Sequence, residues 1–332
     1  MKTRLVDIAR ETGFSINTVS RVMRGDPCIS EATTKIIKAK AKELNYIPDV
    51  VASSMRSALS RTIGVIIADP SNPFFSEVIK GIEAKANELG YQILLSSSDE
   101  NWEKEEKCLK MFLARKVDGI ISTPVCIDKG IEQYDYYSKL SIPFIFAGRY
   151  IPKLEDHSLL HSDYEGEKEV VSHLIKKGHR KIIYLSGPGG ISNSQDREKG
   201  YIDALKDAGI DVEEKYIYRT NGRIEEGYSA INRAIQKLSE FSAIVCFNDL
   251  LAMGAMKSLE ENDLKIPQDV EVFGFDNLYL SQFMFPSLST VDVPKYQLGY
   301  RAMEKLYKQI MKEETCEKEE FPIRLVFRKT TR

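Results

Sequence analysis

Residues 3–24 read TRLVDIARETGFSINTVSRVMR, and this stretch decides how the amino-terminal part of the chain folds. Apolar residues repeat at helical spacing before Gly13 and again after it, which predicts two short amphipathic helices joined by a tight turn. Gly13 can take the positive φ that ends the first helix, and the Ser15 hydroxyl can cap the second. The pattern is typical of a helix-turn-helix, so DNA is the first partner to consider.

The distribution of charge supports a DNA-binding head. The whole chain of 332 residues has a formal net charge of only −2. Residues 1–60, however, hold ten Lys or Arg against six Asp or Glu, whereas the remainder is acidic. Because phosphate neutralisation needs positive charge only at the contact surface, a basic head on an acidic body fits a DNA-binding protein.

Cysteine usage and hydropathy exclude several other classes of protein. Five scattered cysteines without a CxxC pair indicate a reducing compartment and argue against a zinc finger. No basic-then-apolar leader precedes the first helix, and no apolar run approaches ~20 residues, so we expect neither export nor a membrane span. The expected location is the cytoplasm, and no cofactor or metal site is expected.

The rest of the chain shows a third helix, a hinge and two α/β repeats. Ser30 caps the third helix, which closes a three-helix head, and residues 47–61 form a segment too short in apolar positions to be a stable helix alone. From residue 62 onward, short β-branched runs alternate with amphipathic helices, and the rhythm restarts at residue 181. Unbroken apolar runs predict parallel strands buried on both faces, hence two sheets with a ligand-binding cleft between them.

The ordered set of motifs resembles the lactose/galactose-repressor family of bacterial transcription regulators along the whole chain. The matches begin with Val6-Asp7-Ile8-Ala9 and Thr18-Val19-Ser20-Arg21-Val22 and continue with Gly178-His179, Asn248-Asp249, Gly274-Phe275-Asp276 and Leu288-Ser289-Thr290-Val291. The resemblance implies an all-α helix-turn-helix head plus an α/β periplasmic-binding-protein-like core of two doubly wound parallel-sheet lobes. It also implies a homodimer that binds a pseudo-palindromic operator, without tetramerisation, since no leucine-heptad tail follows Arg328.

Residues of the second helix match the positions at which this family reads DNA. Ile16, Asn17 and Arg21 are the expected base-reading residues, and Ser15, Thr18 and Ser20 are expected to contact the backbone. Asn17 can pair with adenine and Arg21 with guanine, each worth roughly 1–3 kcal/mol of discrimination, and Ile16 can touch a thymine methyl. The alternative for Arg21 is a phosphate contact.

The hinge is expected to enter the minor groove at the centre of the operator. In the family an apolar lever, usually leucine, wedges into a base step there, and Met55 occupies that position in this chain. Ala52 and Ser53 belong to the same predicted minor-groove contact. Asp49 stands where the family commonly has asparagine.

The resemblance also implies an effector site between the lobes. Arg197, Asn248 and Asp276 match the effector-contacting positions of the second lobe, and Asp69, Asn72, Phe74, Phe75 and Arg149 are expected from the first. Carboxylates, arginine and aromatic faces suit a sugar or a sugar derivative. Two alternatives stay open: Arg197 and Asp276 could pair with each other, and Phe75 could belong to the core. Residues 221–223 depart from relatives that place an aromatic there.

Other motifs favour structural roles. Residues 187–190 (GPGG) are expected to form a turn, because position 192 is serine and not the glycine of a dinucleotide-binding fingerprint. His157 and His161 are expected in a solvated loop and not in a metal site. No arrangement of residues predicts an enzyme.

We divide the chain into a helix-turn-helix head (1–46), a hinge helix and linker (47–61), an amino-terminal lobe (62–162 and 291–321) and a carboxy-terminal lobe (163–290 and 322–332). The expected function is a ligand-responsive transcription repressor of carbohydrate uptake or catabolism genes. The alternatives are a global catabolite regulator, co-repressed by a phosphorylated carrier protein, and a sugar transport binding protein.

Overall fold

A computed structural model describes residues 3–47, 59–125, 130–313 and 316–332. The chain forms two compact units, Met1–Ser60 and Arg61–Arg332. The predicted minor-groove residues Ala52, Ser53 and Met55 lie outside the described residues.

The head contains three helices, α1 (Leu5–Thr12), α2 (Ile16–Met23) and α3 (Glu31–Glu43). One apolar cluster joins them, and its buried members are Ile8, Ala9, Val19, Val22, Ile37 and Ala41. Gly13 has φ 72°, and the Ser15 Oγ accepts from the Thr18 amide at 3.1 Å. Both local predictions are therefore confirmed: a left-handed glycine ends α1, and a serine caps α2.

The first lobe of the larger unit contains a parallel sheet covered by helices on its faces. Its strands are β1 (Thr62–Ile67), β2 (Gln92–Ser97), β3 (Gly119–Ser122), β4 (Phe144–Ala147), β5 (Ser158–His161) and β11 (Glu319–Phe321). In the described residues they pair in the order β11-β5-β4-β3-β1-β2. Its helices are α4 (Pro73–Glu88), α5 (Trp102–Ala114), α6 (Gly130–Ser138) and α11 (Lys295–Ile310).

The second lobe repeats this architecture. Its strands are β6 (Ile182–Ser186), β7 (Ile217–Arg219), β8 (Ala243–Cys246), β9 (Glu271–Asp276), β10 (Ser289–Asp292) and β12 (Arg324–Val326), in the order β12-β10-β9-β8-β6-β7. Its helices are α7 (Asp163–Lys176), α8 (Ser192–Asp207), α9 (Ile224–Lys237) and α10 (Asp249–Glu261). The edge strand β12 runs antiparallel to β10, so this sheet is mixed, whereas the other described pairs are parallel.

Single-turn 3₁₀ helices lie at three connections. They span Glu155–His157, Glu214–Tyr216 and Tyr279–Gln282. Within the described ranges, no helix is both long and apolar enough to cross a membrane.

Close helix packing and a continuous apolar core hold the larger unit together. A Cβ at Gly299 of α11 would lie 2.0 Å from the Val78 carbonyl oxygen of α4, so only glycine allows these two helices to approach. One apolar cluster continues from the first lobe into the second, with Val65 and Ile145 on one side and Tyr184 and Phe275 on the other.

The chain passes between the lobes three times: between β5 and α7, between β10 and α11, and between β11 and β12. Strand β10 pairs with β9 throughout, up to Asp292. The lobe boundary that we expected between residues 290 and 291 thus falls inside a strand of the second lobe, and the crossing follows Asp292. Helical and strand periodicity alone did not mark this point, because β10 and the crossing segment form one extended run.

Two further expectations are wrong. Strand β2 is not buried on both faces: it lies at a sheet edge, and Leu95 is half exposed. His157 and His161 do not lie in a solvated loop, since His157 stacks on Phe144 with ring centroids 4.1 Å apart and His161 is a buried residue of β5. Their polarity hid a short strand whose other residues, Ser158, Leu159 and Leu160, are buried.

Candidate functional site

The first turn of α2 presents the side chains expected to read bases. Val19 and Val22 anchor the helix in the head core, which turns Ile16 and Asn17 outward. Ile16 has a large apolar side chain that is 50% exposed and does not belong to the apolar core of the head. An exposed isoleucine beside an exposed amide suits a surface that meets base edges and thymine methyl groups.

Arg21 is held by a partner that sequence reasoning missed. Its Nε donates to Asp26 Oδ2 at 2.8 Å, and this hydrogen bond holds the pKa of Asp26 below its ordinary value. Asp26 comes five residues later, after the turn that ends α2, so helical spacing gave no signal for the pair.

The residues expected to contact the DNA backbone are partly engaged within the head. The Ser15 and Thr18 hydroxyl oxygens lie 2.8 Å apart, and the Ser20 carbonyl accepts from Arg24 Nε at 3.1 Å. Ser15 is exposed, while Thr18 and Ser20 are half-buried. The first of these contacts lies at the amino-terminal end of α2, and the second at its carboxyl-terminal end.

A small cavity lies between the two lobes at the carboxyl ends of their strands, with a volume of about 30 Å³. Six of the eight side chains expected to bind the effector line it: Asn72, Phe74, Phe75, Arg149, Arg197 and Asp276. The volume is far below the 300–1,000 Å³ or so of ordinary ligand pockets. In this arrangement of the lobes the cavity is too small for a sugar-sized molecule.

Arg197 of α8 is the most elaborately held of these side chains. It is 1% exposed, and its guanidinium lies between two aromatic rings, 3.5 Å from the Phe275 centroid and 4.6 Å from that of Phe247. Its Nε donates to Asp163 Oδ1 at 2.6 Å, and Nη1 donates to the Phe247 carbonyl. Burial acts to lower the pKa of Arg197, but neighbouring carboxylates outweigh it and the pKa is raised.

Asp276, at the end of β9, faces Arg197 at a longer distance. The closest separation, Arg197 Nη1 to Asp276 Oδ1, is 3.6 Å, so the ion pair that we considered as an alternative does form. Burial raises the pKa of Asp276 to about 6, and Arg197 only partly offsets the effect. A carboxylate that is 4% exposed at such a distance from its cation can accept further hydrogen bonds.

Other residues of the expected set have structural partners. Asn72 Oδ1 caps α4 by accepting from the Phe74 amide at 3.0 Å, and Phe75 is both a core residue and part of the cavity wall. Arg149 makes a bidentate pair with Glu100 at 2.8 and 2.6 Å.

Asp69 and Asn248 are not among the described residues that line the cavity. Asn248 Oδ1 caps α10 by accepting from the Leu251 amide at 2.8 Å, and its Nδ2 donates to the Gly222 carbonyl. Asp69 lies at the rim, where Arg223 Nη2 reaches Asp69 Oδ2 and Asp99 Oδ1, each at 3.3 Å. Arg223 belongs to the other lobe, so these contacts join the lobes across the mouth of the cleft.

Several cleft residues were not expected from the sequence. Thr123, Asn193 and Phe247 line the cavity. The buried residues His161 and Asp163 both contact the guanidinium of Arg197. His161 Nε2 lies 3.1 Å from Asp163 Oδ1, in the segment by which the chain leaves the first lobe. The signal available was position: Thr123 and Phe247 each follow a strand directly, and Asp163 lies two residues after the end of β5. Among the described residues, no group of His, Cys, Asp and Glu is placed to hold a metal ion.

The chain combines a helix-turn-helix head with a two-lobed core that has a polar cleft. This combination is typical of one class of protein, the DNA-binding regulators that respond to a ligand. A family model described as "Bacterial regulatory proteins, lacI family" matches residues 4–49, and one described as "Periplasmic binding proteins and sugar binding domain of LacI family" matches residues 60–330. The chain belongs to the LacI family of bacterial regulatory proteins.

Relatives and solved structures agree with this assignment. The HTH-type transcriptional regulator DegA of Bacillus subtilis (strain 168) is 33% identical, over 90% of this chain and 89% of its own length. Catabolite control protein A of Priestia megaterium is also 33% identical, over the full length of both chains. A crystal structure of the Lac repressor dimer, bound to operator and the anti-inducer ONPF, superposes with TM-score 0.91 at 25% identity, covering 100% of this chain and 99% of that chain.

Proposed function

We propose that this protein is a transcription repressor that binds a pseudo-palindromic operator as a homodimer and changes its operator affinity when a sugar or sugar derivative occupies the cleft between its lobes. The observation that carries the proposal is the convergence of six expected effector residues on one inter-lobe cavity, in a chain that also has a helix-turn-helix head. Because the DNA of a bacterium lies in its cytoplasm, we place the protein's action there.

The head is proposed to read DNA through α2. Ile16, Asn17 and Arg21 would contact base edges in the major groove, and Ser15, Thr18 and Ser20 would contact phosphates. The exposure of Ile16 and Asn17 on the first turn supports this assignment. Met55, with Ala52 and Ser53, remains the proposed minor-groove contact of the hinge.

The cleft supplies the groups that recognise a polyhydroxylated ring. Arg197 and Arg149 are donors, Asp276 is a buried acceptor, and the rings of Phe74, Phe75 and Phe247 offer apolar faces for the C–H surface of a sugar. The buried Asn193 Oδ1 has no partner among the described residues, so it too can accept from a ligand hydroxyl. Asp69 and Asn248 would act from the rim and from the start of α10.

Lobe closure is the step that would couple the cleft to the head. A ligand that prefers one lobe arrangement shifts the population toward it, and the hinges of the two subunits respond. Whether the ligand raises or lowers operator affinity depends on the lobe arrangement that it favours. A co-repressor favours the arrangement that keeps the two hinges together, and an inducer favours the arrangement that keeps them apart.

A surface on the second lobe supports dimerisation. Tyr279, Leu280, Phe283 and Phe285 are 56–96% exposed and close together in sequence, in and after the Tyr279–Gln282 turn. Such an apolar patch is typical of a protein interface. The Lac repressor of similar fold was crystallised as a dimer on its operator, and we propose that the patch is the corresponding self-contact here.

The proposal is tested by selecting duplexes from a random library with the full-length protein. We expect an enriched sequence with two half-sites related by a dyad, bound about 10³-fold or more tightly than scrambled duplex, the typical lower bound for specific binders. Enrichment of no sequence would overturn it. Adding a phosphorylated carrier protein to the same binding assay tests the catabolite-regulator alternative, which predicts that operator affinity rises only with that partner.

A further inference from the structure

Asp26 is built into the turn after α2 by its own backbone and its neighbours. Its amide donates to the Arg21 carbonyl at 3.1 Å, and its Oδ1 accepts from the Cys28 amide at 3.0 Å. Pro27, between Asp26 and Cys28, has a fixed φ. The carboxylate therefore has little conformational freedom, although it lies at the surface of the head.

The second carboxylate oxygen holds Arg21. Oδ2 accepts from Arg21 Nε at 2.8 Å, and the arginine side chain remains 39% exposed. Because a guanidinium is planar, fixing Nε on one partner also fixes the direction of the Nη1 and Nη2 edge. That edge carries the paired donors that a guanine requires for its O6 and N7 acceptors.

We propose that Asp26 is a positioning residue for base reading: it orders Arg21 before DNA arrives and so raises discrimination at the guanine that Arg21 contacts. This inference rests on the base-reading role proposed for Arg21. A free arginine loses rotamer entropy when it meets a base, whereas a held one has already lost it.

The Asp26 carboxylate strengthens specific recognition but weakens sequence-independent binding. A negative charge next to the recognition helix repels phosphates, so Asp26 lowers the affinity for any duplex while it favours the correct one. Higher specificity at the cost of overall affinity is the signature that separates a positioning role from a merely structural one.

Asp26→Asn isolates the contact. The amide oxygen can still accept from the Cys28 amide and preserve the turn, but the NH₂ group cannot accept from Arg21 Nε. Glu43→Gln is the matched control, because it removes one negative charge from the head at a site whose partner is Lys40 of α3, 2.7 Å away. Arg21→Ala identifies the base pair that Arg21 reads.

The experiment measures the affinity of each full-length variant for the selected duplex, for its single-base-pair variants and for scrambled duplex, together with the melting temperature. We expect Asp26→Asn to reduce discrimination roughly threefold to tenfold at the base pair identified by Arg21→Ala, and not elsewhere. Binding of Asp26→Asn to scrambled duplex should tighten, and Glu43→Gln should keep full discrimination.

Three results would overturn the inference: Asp26→Asn discriminating as well as the parent, Glu43→Gln losing as much, or an equal loss for every duplex with a lower melting temperature. The base-reading proposal for Arg21 would itself be refuted if Arg21→Ala weakened binding to all duplexes equally, as the loss of a phosphate contact does.

Discussion

Arg223 of the second lobe and Asp69 of the first lie 3.3 Å apart, from Nη2 to Oδ2, across the mouth of the cleft. The same Nη2 is 3.3 Å from Asp99 Oδ1, so one cation joins two carboxylates of the opposite lobe. When the lobes separate, this contact must break. We call this contact between Arg223 and the two carboxylates the latch. It lies at the side of the cleft opposite the segments by which the chain crosses between the lobes.

Arg223→Gln should favour the open arrangement of the lobes. Exposed ion pairs contribute about 0–1 kcal/mol, and Arg223 is half exposed, so the closed-to-open ratio should fall by up to about fivefold. The distance between two fluorophores, one on each lobe, measures this ratio. Arg219→Gln is the matched control, because Arg219 pairs with Glu198 and Glu214 inside its own lobe. An equal shift in both variants would contradict the latch.

Arg197→Met should strongly destabilise the core. The substitution leaves the Asp163 carboxylate buried without its cation, and breaking a buried pair in this way costs about 3–5 kcal/mol. Urea unfolding followed by circular dichroism measures the free energy of unfolding. The exposed Arg219→Met serves as control and should change it by less than about 0.5 kcal/mol. A loss below about 1 kcal/mol for Arg197→Met would show that Asp163 finds another partner.

Glu167→Gln should flatten the pH dependence of stability. Burial raises the pKa of Glu167 from 4.5 to about 8, so the folded state keeps a proton that the unfolded state releases. Stability from this group is fully present below pH 4.5 and is lost as pH rises toward 8, by an amount on the order of a few kcal/mol. Neither carboxyl oxygen has a hydrogen-bond partner among the described residues.

Unfolding free energies of the parent, of Glu167→Gln and of the exposed neighbour variant Glu165→Gln, taken between about pH 5 and 8, test this. The parent and Glu165→Gln should both lose stability as pH rises, and Glu167→Gln should lose less. Three parallel curves would mean that Glu167 is ionised in the folded protein.

Phe283→Asp should dissociate the proposed dimer. A charge buried in an apolar interface is costly, and Phe283 is 65% exposed in the single chain, next to Tyr279 with ring centroids 5.1 Å apart. Sedimentation velocity at micromolar concentration should show dimers for the parent and monomers for the variant. Leu95→Asp, on the exposed edge strand β2, should remain dimeric. A dimeric Phe283→Asp protein would place the interface elsewhere.

The head could be predicted almost completely, because its determinants are local. Spacing identified α1 and α2, Gly13 identified the turn, and Ser15 identified the cap, all within two dozen residues. The pair between Arg21 and Asp26 escaped prediction because it depends on the path of the chain after α2 and not on helical periodicity.

The cleft could be predicted only in part. Arg149, two residues after β4, and Asp276, the last residue of β9, were expected because they match effector-contacting positions of the lactose/galactose-repressor family. Their place agrees with the general rule that parallel strands bring their carboxyl ends to one edge of a sheet. The contacts that fix Arg197 join β5, α7, α8 and β9, and Arg223 meets Asp69 across 154 residues of sequence. Such pairs are decided by how two sheets face each other, which no local pattern contains. Short edge strands, such as β7 and β12, carry too few apolar residues to stand out.

We propose above all that a molecule bound between the lobes changes the affinity of the protein for its operator. The most direct test of this proposal is the dissociation constant of the selected duplex, measured with and without each sugar or sugar phosphate that raises the melting temperature of the full-length protein. We predict that such a ligand changes this constant by roughly 5- to 150-fold, the usual range of allosteric coupling, and that Asp276→Ala abolishes the change. A ligand that binds the cleft and leaves the dissociation constant unaltered would contradict the account.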